Sequence, residues 1–275
     1  MAAALGLTFF TASQEKVFVE AENVVSPDVS LGPVIAYFFG AVAVIGLILF
    51  LIPVNKLKWL FRILFALMFA WGTLIVLGLF LPLPAAYAGA AVAGFTWMFW
   101  DGIWLHDLLL LVTLAGIGSV FGFLFSPLTF LIFMLIVAIY DVLAVRFGFM
   151  VWMADRLSAS ASIPAFIFPR KIGDWKLRLK DLRINDLKKE APAEREYSIL
   201  GGGDIGFPLM LAVAVFFKSG LASGILVGAF ALLGLISAYL IQLYWLKGKP
   251  MPALPPIALF SLIGFVIASL CLSQG

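Results

Sequence analysis

One cysteine and one histidine are all that 275 residues supply of the side chains most used for metal, redox and nucleophilic chemistry. With Cys271 alone, an intrachain disulfide is excluded. A cysteine nucleophile needs a base beside it, and none lies near Cys271 in sequence, so a packing role is expected. His106 sits beside Asp107 and close to Asp101, between two apolar runs. Zinc would require three or four ligands and a serine triad a glycine-flanked serine elbow, and the sequence has neither. His106 is therefore expected to be interfacial and hydrated, and no metal or organic cofactor is expected.

Charge is equally scarce. Only 12% of the residues are charged against 64% hydrophobic, and the mean hydropathy is +1.13. Too little polar surface exists to cover a soluble globule, so the chain reads as an all-α, polytopic transmembrane bundle in a lipid bilayer. Spans of about 20 apolar residues are expected at 31 to 53, 59 to 80, 84 to 100, 105 to 124, 128 to 150, 199 to 217, 221 to 245 and 254 to 272. An apolar stub at 2 to 12 brings the count to about nine spans. It would rise only ~16 Å as a helix, so the first span is expected to be short. A signal peptide is not expected there, because no basic region precedes the apolar run and no small-residue cleavage pattern surrounds Ala12 to Gln14.

Lysine and arginine set the expected orientation. Lys56, Lys58 and Arg62 fall in one loop and Lys247 and Lys249 in another. Arg146, Arg156, Arg170, Lys171, Lys176, Arg178, Lys180, Arg183, Lys188, Lys189 and Arg195 end or follow the fifth long span. These are sixteen of the eighteen basic residues, all on one side, which leaves Lys16 and Lys218 opposite. Three regions follow: an N-terminal bundle at 1–150, a polar cytoplasmic loop at 151–198, and C-terminal transmembrane helices at 199–275. Trp59, Trp100, Trp104, Trp152 and Trp245 fall near the expected cytoplasmic ends, as an interfacial belt requires. The net charge of +3 follows from this bias. With no basic patch interleaved with aromatics outside the loop, nucleic acid is not an expected partner.

Within the loop, Asp174-Trp175-Lys176-Leu177-Arg178-Leu179-Lys180 alternates polar and apolar, the period of a strand with one covered face. A short strand or hairpin is expected there. Gly220, Gly224 and Gly228 recur every four residues, the spacing that lets helices approach closely in lipid.

Against this apolar background stand Asp141, in Ile-Val-Ala-Ile-Tyr-Asp-Val-Leu-Ala-Val, and Asp204, in Ile-Leu-Gly-Gly-Gly-Asp-Ile-Gly-Phe-Pro. Neither has a basic residue within helical pairing distance. Arg146 follows Asp141 by five residues, a turn of ~500° that leaves the two side chains ~140° apart. A carboxylate in mid-bilayer costs about 2.5–3.5 kcal/mol on insertion scales, so two without a basic neighbour in sequence point to use. Placed together they can share a proton, and repulsion then separates their titrations into one acid and one base. Gly201, Gly202 and Gly203 allow close approach just before Asp204. Pro208 has no N–H to return to the Asp204 carbonyl. A third element, Pro252-Ala253-Leu254-Pro255 followed by Pro256, is held extended or turned before the last span.

Tyr140-Asp141, Gly201-Gly202-Gly203-Asp204 and Pro252-Ala253-Leu254-Pro255, in this order and with a polar loop between the aspartates, together resemble the presenilin and signal peptide peptidase family. The resemblance covers most of the chain, and the small size is most like an archaeal presenilin homologue. It implies an intramembrane aspartyl endopeptidase with Asp141 and Asp204 as the catalytic dyad. It also implies Tyr140, Gly201 to Gly203 and Pro252 to Pro255 as supporting or substrate-binding residues. A cytoplasmic loop between the aspartates matches the presenilin orientation. The implied substrates are transmembrane proteins, while accessory subunits and homo-oligomers are not readable from the residues.

In such an enzyme one carboxylate takes a proton from the attacking water while its protonated partner donates to the scissile carbonyl. An unwound substrate needs new partners for its peptide groups. Strand addition at Trp175 to Lys180, before Asp204 or at Pro252 to Pro255 would supply them. The competing reading is a proton- or cation-coupled transporter, in which membrane aspartates and broken helices form an ion site.

Overall fold

A computed structural model describes residues 1–27, 29–158, 162–179, 196–246 and 251–271. Lipid offers backbone groups no hydrogen-bonding partner, so the apolar runs close their own ladders as helices. Among the described residues these are α1 (Ala2–Ala21), α2 (Leu31–Leu51), α3 (Val54–Gly78), α4 (Leu83–Phe99), α5 (Ile103–Leu124), α6 (Pro127–Arg146), α7 (Phe149–Ser158), α8 (Gly202–Ser219), α9 (Leu221–Tyr244) and α10 (Leu254–Cys271). Six of them, α2, α3, α5, α6, α8 and α9, are long and apolar enough to cross a membrane, and α4 is a shorter apolar helix, as is α10 over Leu254–Leu270. The protein is an integral, multi-pass membrane protein with an all-α bundle.

Several boundaries differ from those expected, among them the start of α3, at Val54 rather than 59. The apolar stub at 2 to 12 is only the first half of α1, which continues through Ser13, Gln14, Glu15, Lys16 and Glu20 to Ala21. The hydrophobic run ends there, but the helical hydrogen bonding does not. The span expected at 128 to 150 stops at Arg146, because Gly148 takes φ 74° and turns the chain into the short α7. At its start, the Ser126 side chain accepts from the Thr129 N–H at 3.2 Å and Pro127 occupies the first turn, a well-formed N-terminus. The span expected from 199 begins at Gly202, since Tyr197–Gly201 is a strand.

The strand expected at Trp175 to Lys180 is not there. Ile172–Lys176 forms a 3-10 turn, Arg178 makes only an isolated bridge to Gly102, and Lys180 lies outside the described residues. The alternation reflects anchoring instead. The Ile103 N–H donates to the Leu177 carbonyl at 3.0 Å and the Leu179 N–H to the Asp101 carbonyl at 2.9 Å, which leaves Leu179 1% exposed and Leu177 46% exposed.

The hairpin instead pairs β1 (Ala165–Pro169) with β2 (Tyr197–Gly201), antiparallel, with Ala165 opposite Gly201 and Ile167 opposite Ile199. The Arg170 N–H donates to the Glu196 carbonyl at 2.8 Å, and the Ile167 N–H goes to a side chain rather than to β2. Residues 166 and 168 therefore exchange ladder bonds with 200 and 198. Ala165, Ile167, Ile199 and Gly201 turn their peptide groups outward.

The chain divides into two compact units. One comprises 1–39, 114–147 and 203–275. Its core joins Phe130, Met134 and Val137 of α6 to Leu211 and Val215 of α8 and Leu254 and Ala258 of α10. Close approach of α9 depends on Gly224, where an added methyl would lie 2.8 Å from Phe216 Cβ and 2.9 Å from the Ala212 carbonyl oxygen. The other unit comprises 40–113 and 148–202. There α3 packs on α4 through Phe65, Phe69 and Trp97, and α7 rests Leu157 on Leu49, Leu57 and Phe61.

Candidate active site

Asp141 lies in the last two turns of α6 and is 7% exposed. Its Oδ2 accepts the Leu254 N–H at 3.4 Å. Sequence explains why that donor is available. The first three residues of α10 are Leu254, Pro255 and Pro256, and the two prolines have no N–H, so Leu254 holds the one donor of the three. A helix N-terminus also favours a neighbouring negative charge. Pro252 and Ala253 precede the helix in non-helical conformation and are half-buried, like Pro255. Tyr140 packs edge-to-face on Phe38 and Phe39, with ring centroids 6.5 and 5.4 Å away.

Asp204 is the third residue of α8, in its first turn, and is half-buried. The helix position again suits a carboxylate. Gly201 pairs with Ala165 as the last residue of β2. Gly202 then donates its N–H to the Pro164 carbonyl at 2.8 Å, and a Cβ there would sit 3.0 Å from that oxygen. This is the close approach that calls for glycine. At Gly203 an added methyl would meet only the Phe207 ring, at 3.3 Å. Pro208 lies inside α8 and cannot supply an N–H to the Asp204 carbonyl.

Both aspartates belong to the same compact unit. Phe133 of α6 meets Phe207 of α8 with centroids 5.8 Å apart. Along the helices, Asp141 lies about 12 Å from this contact on α6 and Asp204 about 4.5 Å from it on α8. Among the described residues no three His, Cys, Asp or Glu side chains gather as metal ligands would.

A second polar cluster, in the other unit, joins residues that are adjacent in sequence to partners far along the chain. Asp101 is fully buried, with its Oδ1 2.8 Å from Arg178 Nε and its Oδ2 3.5 Å from Arg62 Nη2. His106 is not hydrated at an interface as expected: it is fully buried. Its Nδ1 accepts the Trp97 Nε1–H at 3.2 Å, so the ring proton sits on Nε2 and is donated to the Ala165 carbonyl at 3.1 Å. Asp107 accepts the Ile167 N–H on both oxygens, at 3.1 and 3.3 Å. The available signal was Phe166-Ile167-Phe168 between Pro164 and Pro169, a short β-favouring run whose outer edge needs partners.

Two solved structures resemble the chain, each described as a presenilin family intramembrane aspartate protease, in C222 and P2 space groups. The first is 19% identical, with a TM-score of 0.59 over 97% of this chain and 96% of that one. The second is 20% identical, with a TM-score of 0.56 over 97% and 94%. At such identity the likeness carries the fold. No curated protein matches the chain. A family model described as signal-peptide peptidase, presenilin aspartyl protease matches residues 14–273. That match runs from within α1 to the end of α10, and the chain belongs to the signal-peptide peptidase and presenilin family of aspartyl proteases.

Proposed function

We propose that Asp141 and Asp204 are the water-activating pair of this intramembrane aspartyl protease. The observation that carries the assignment is the Leu254 N–H on the buried carboxyl of Asp141, a link between the first aspartate and the proline segment. Asp204 lies in the same compact unit, in the first turn of α8. One carboxylate removes a proton from water as it attacks the scissile carbonyl. The protonated partner donates to that oxygen and later to the leaving amine. The Leu254 N–H holds one oxygen of Asp141 by donating to it, which leaves the other oxygen turned elsewhere.

A substrate helix must unwind before its amides can react, and its freed peptide groups need partners. The receptive edge is that of β2, where Ile199 and Gly201 turn outward and Gly201 stands three residues before Asp204. An extended substrate added there would satisfy its own N–H and C=O groups on a strand that leads directly into the Asp204 segment. Within the Trp175 to Lys180 segment the described residues lose this role, since Leu177 and Leu179 spend backbone groups on Ile103 and Asp101. The polar loop between the aspartates is assigned to the cytoplasm, on the strength of sixteen of eighteen basic residues.

Purified protein in liposomes with a single-pass substrate tests the assignment. Wild type should release two fragments, and Asp141→Asn or Asp204→Asn alone should release none. Full cleavage by either variant removes that residue from the pair. The transporter reading has no support from the family, and ion flux without proteolysis is the result that would restore it.

A further inference from the structure

Edge strands present rows of unpaired N–H and C=O groups, and a two-stranded hairpin has two such edges. In this protein they are treated differently. On β1 the outward carbonyl of Ala165 takes the His106 Nε2–H, and the outward N–H of Ile167 takes the Asp107 carboxylate. Consecutive residues of α5 thus offer one donor and one acceptor, the pair that a third strand would offer at that place. β1 is buried from Ala165 to Ile167, whereas Ser198 and Ile199 on β2 are exposed.

We propose that His106 and Asp107 act as a side-chain substitute for a third strand, closing the β1 edge and fixing the hairpin so that substrate joins β2 in one register. Asp107 is then a positioning residue for the cleavage site, acting through Ile167 and the ladder to β2. The proposal rests on the reading that substrate is held by strand addition. Its specific consequence concerns where the cut falls. Side chains alternate with period 2 along a strand, so a hairpin no longer held at Ile167 slips by two residues at a time to keep its buried face inward.

The experiment uses the full chain in liposomes with a single-pass substrate, reading product termini by mass spectrometry. Asp107→Ala should spread the termini over positions two residues apart, with the main product's share falling roughly twofold or more. Asp107→Asn keeps a carbonyl acceptor for the Ile167 N–H and should restore one main product. A single unchanged terminus in the alanine variant, or equally ragged products from the asparagine variant, overturns the proposal. Leu49→Ala supplies a core-destabilised control outside the cluster, expected to lower yield without moving the cut. Should Asp107→Ala fail to fold, the double variant Asp107→Leu/Ile167→Pro removes donor and acceptor together, which costs far less than orphaning one. It should give the same ragged pattern, and a single terminus from it also overturns the proposal. Ile199→Pro separates the two levels, because it deletes an outward N–H of β2 itself. Normal cleavage by that variant sinks strand addition, whereas impaired cleavage alongside unchanged Asp107→Ala products sinks only the role of Asp107.

Discussion

Asp141 and Asp107 look alike by the measures most often used to find catalytic carboxylates. Each is 7% exposed, each sits on an apolar helix, and each accepts a backbone N–H from a distant part of the chain. The difference is in how much of each carboxyl is committed. Asp107 turns both oxygens to one amide of a buried strand, beside a histidine whose two nitrogens are also engaged. Asp141 accepts through one oxygen, from a helix terminus. Burial with hydrogen bonding therefore marks a carboxylate as costly to place and leaves open what it is for; on the function proposed above, the arrangement of acceptors is what distinguishes holding a strand from handling a proton.

Removing one carboxyl from each of the two polar clusters should have opposite effects. Asp141→Asn should lower cleavage at least ~1,000-fold in a fragment-release assay, as losing one member of a catalytic unit does, while leaving thermal stability close to wild type. Asp101→Ala should do the reverse. It leaves Arg62 and Arg178 without their buried partner and should cost about 3–5 kcal/mol, read as a fall in the unfolding midpoint in detergent.

Two smaller effects sharpen the picture. Leu254→Pro deletes the N–H given to Asp141 at a helix position that tolerates proline, and Leu254→Ala keeps the N–H while removing the same buried side chain. The proline variant should turn over about tenfold more slowly than the alanine variant, the effect of ~1.4 kcal/mol. Equal rates would detach the hydrogen bond from catalysis. Smaller still, Gly202→Ala should cost about 1 kcal/mol through crowding against the Pro164 carbonyl, visible as a modest shift in the same melting curve.

Much of this was legible beforehand where chemistry is local in sequence. Apolar run length located α2 to α6 and α8 to α10 to within about five residues, because lipid leaves a backbone little choice, but missed the polar second half of α1 and the short α7. The two aspartates stood out because nothing nearby in sequence could neutralise them. Strand Ala165–Pro169 and the His106–Asp107 bracket did not stand out, since their partners lie about sixty residues away and pairing at that separation leaves no periodicity to read. The alternation from Asp174 to Lys180 misled for a related reason. Backbone bonds to Asp101 and Ile103 bury Leu179 and leave Leu177 outside, which imitates a strand face without a strand.

The opening of α10 has a consequence for how its information is stored. Any amino acid except proline brings an amide to position 254, so the contact with Asp141 is encoded less by the leucine than by the two residues behind it, whose rings silence competing donors. Exchanging Pro255 or Pro256 for alanine would add a rival hydrogen at the helix mouth while every existing atom of the contact stayed in place.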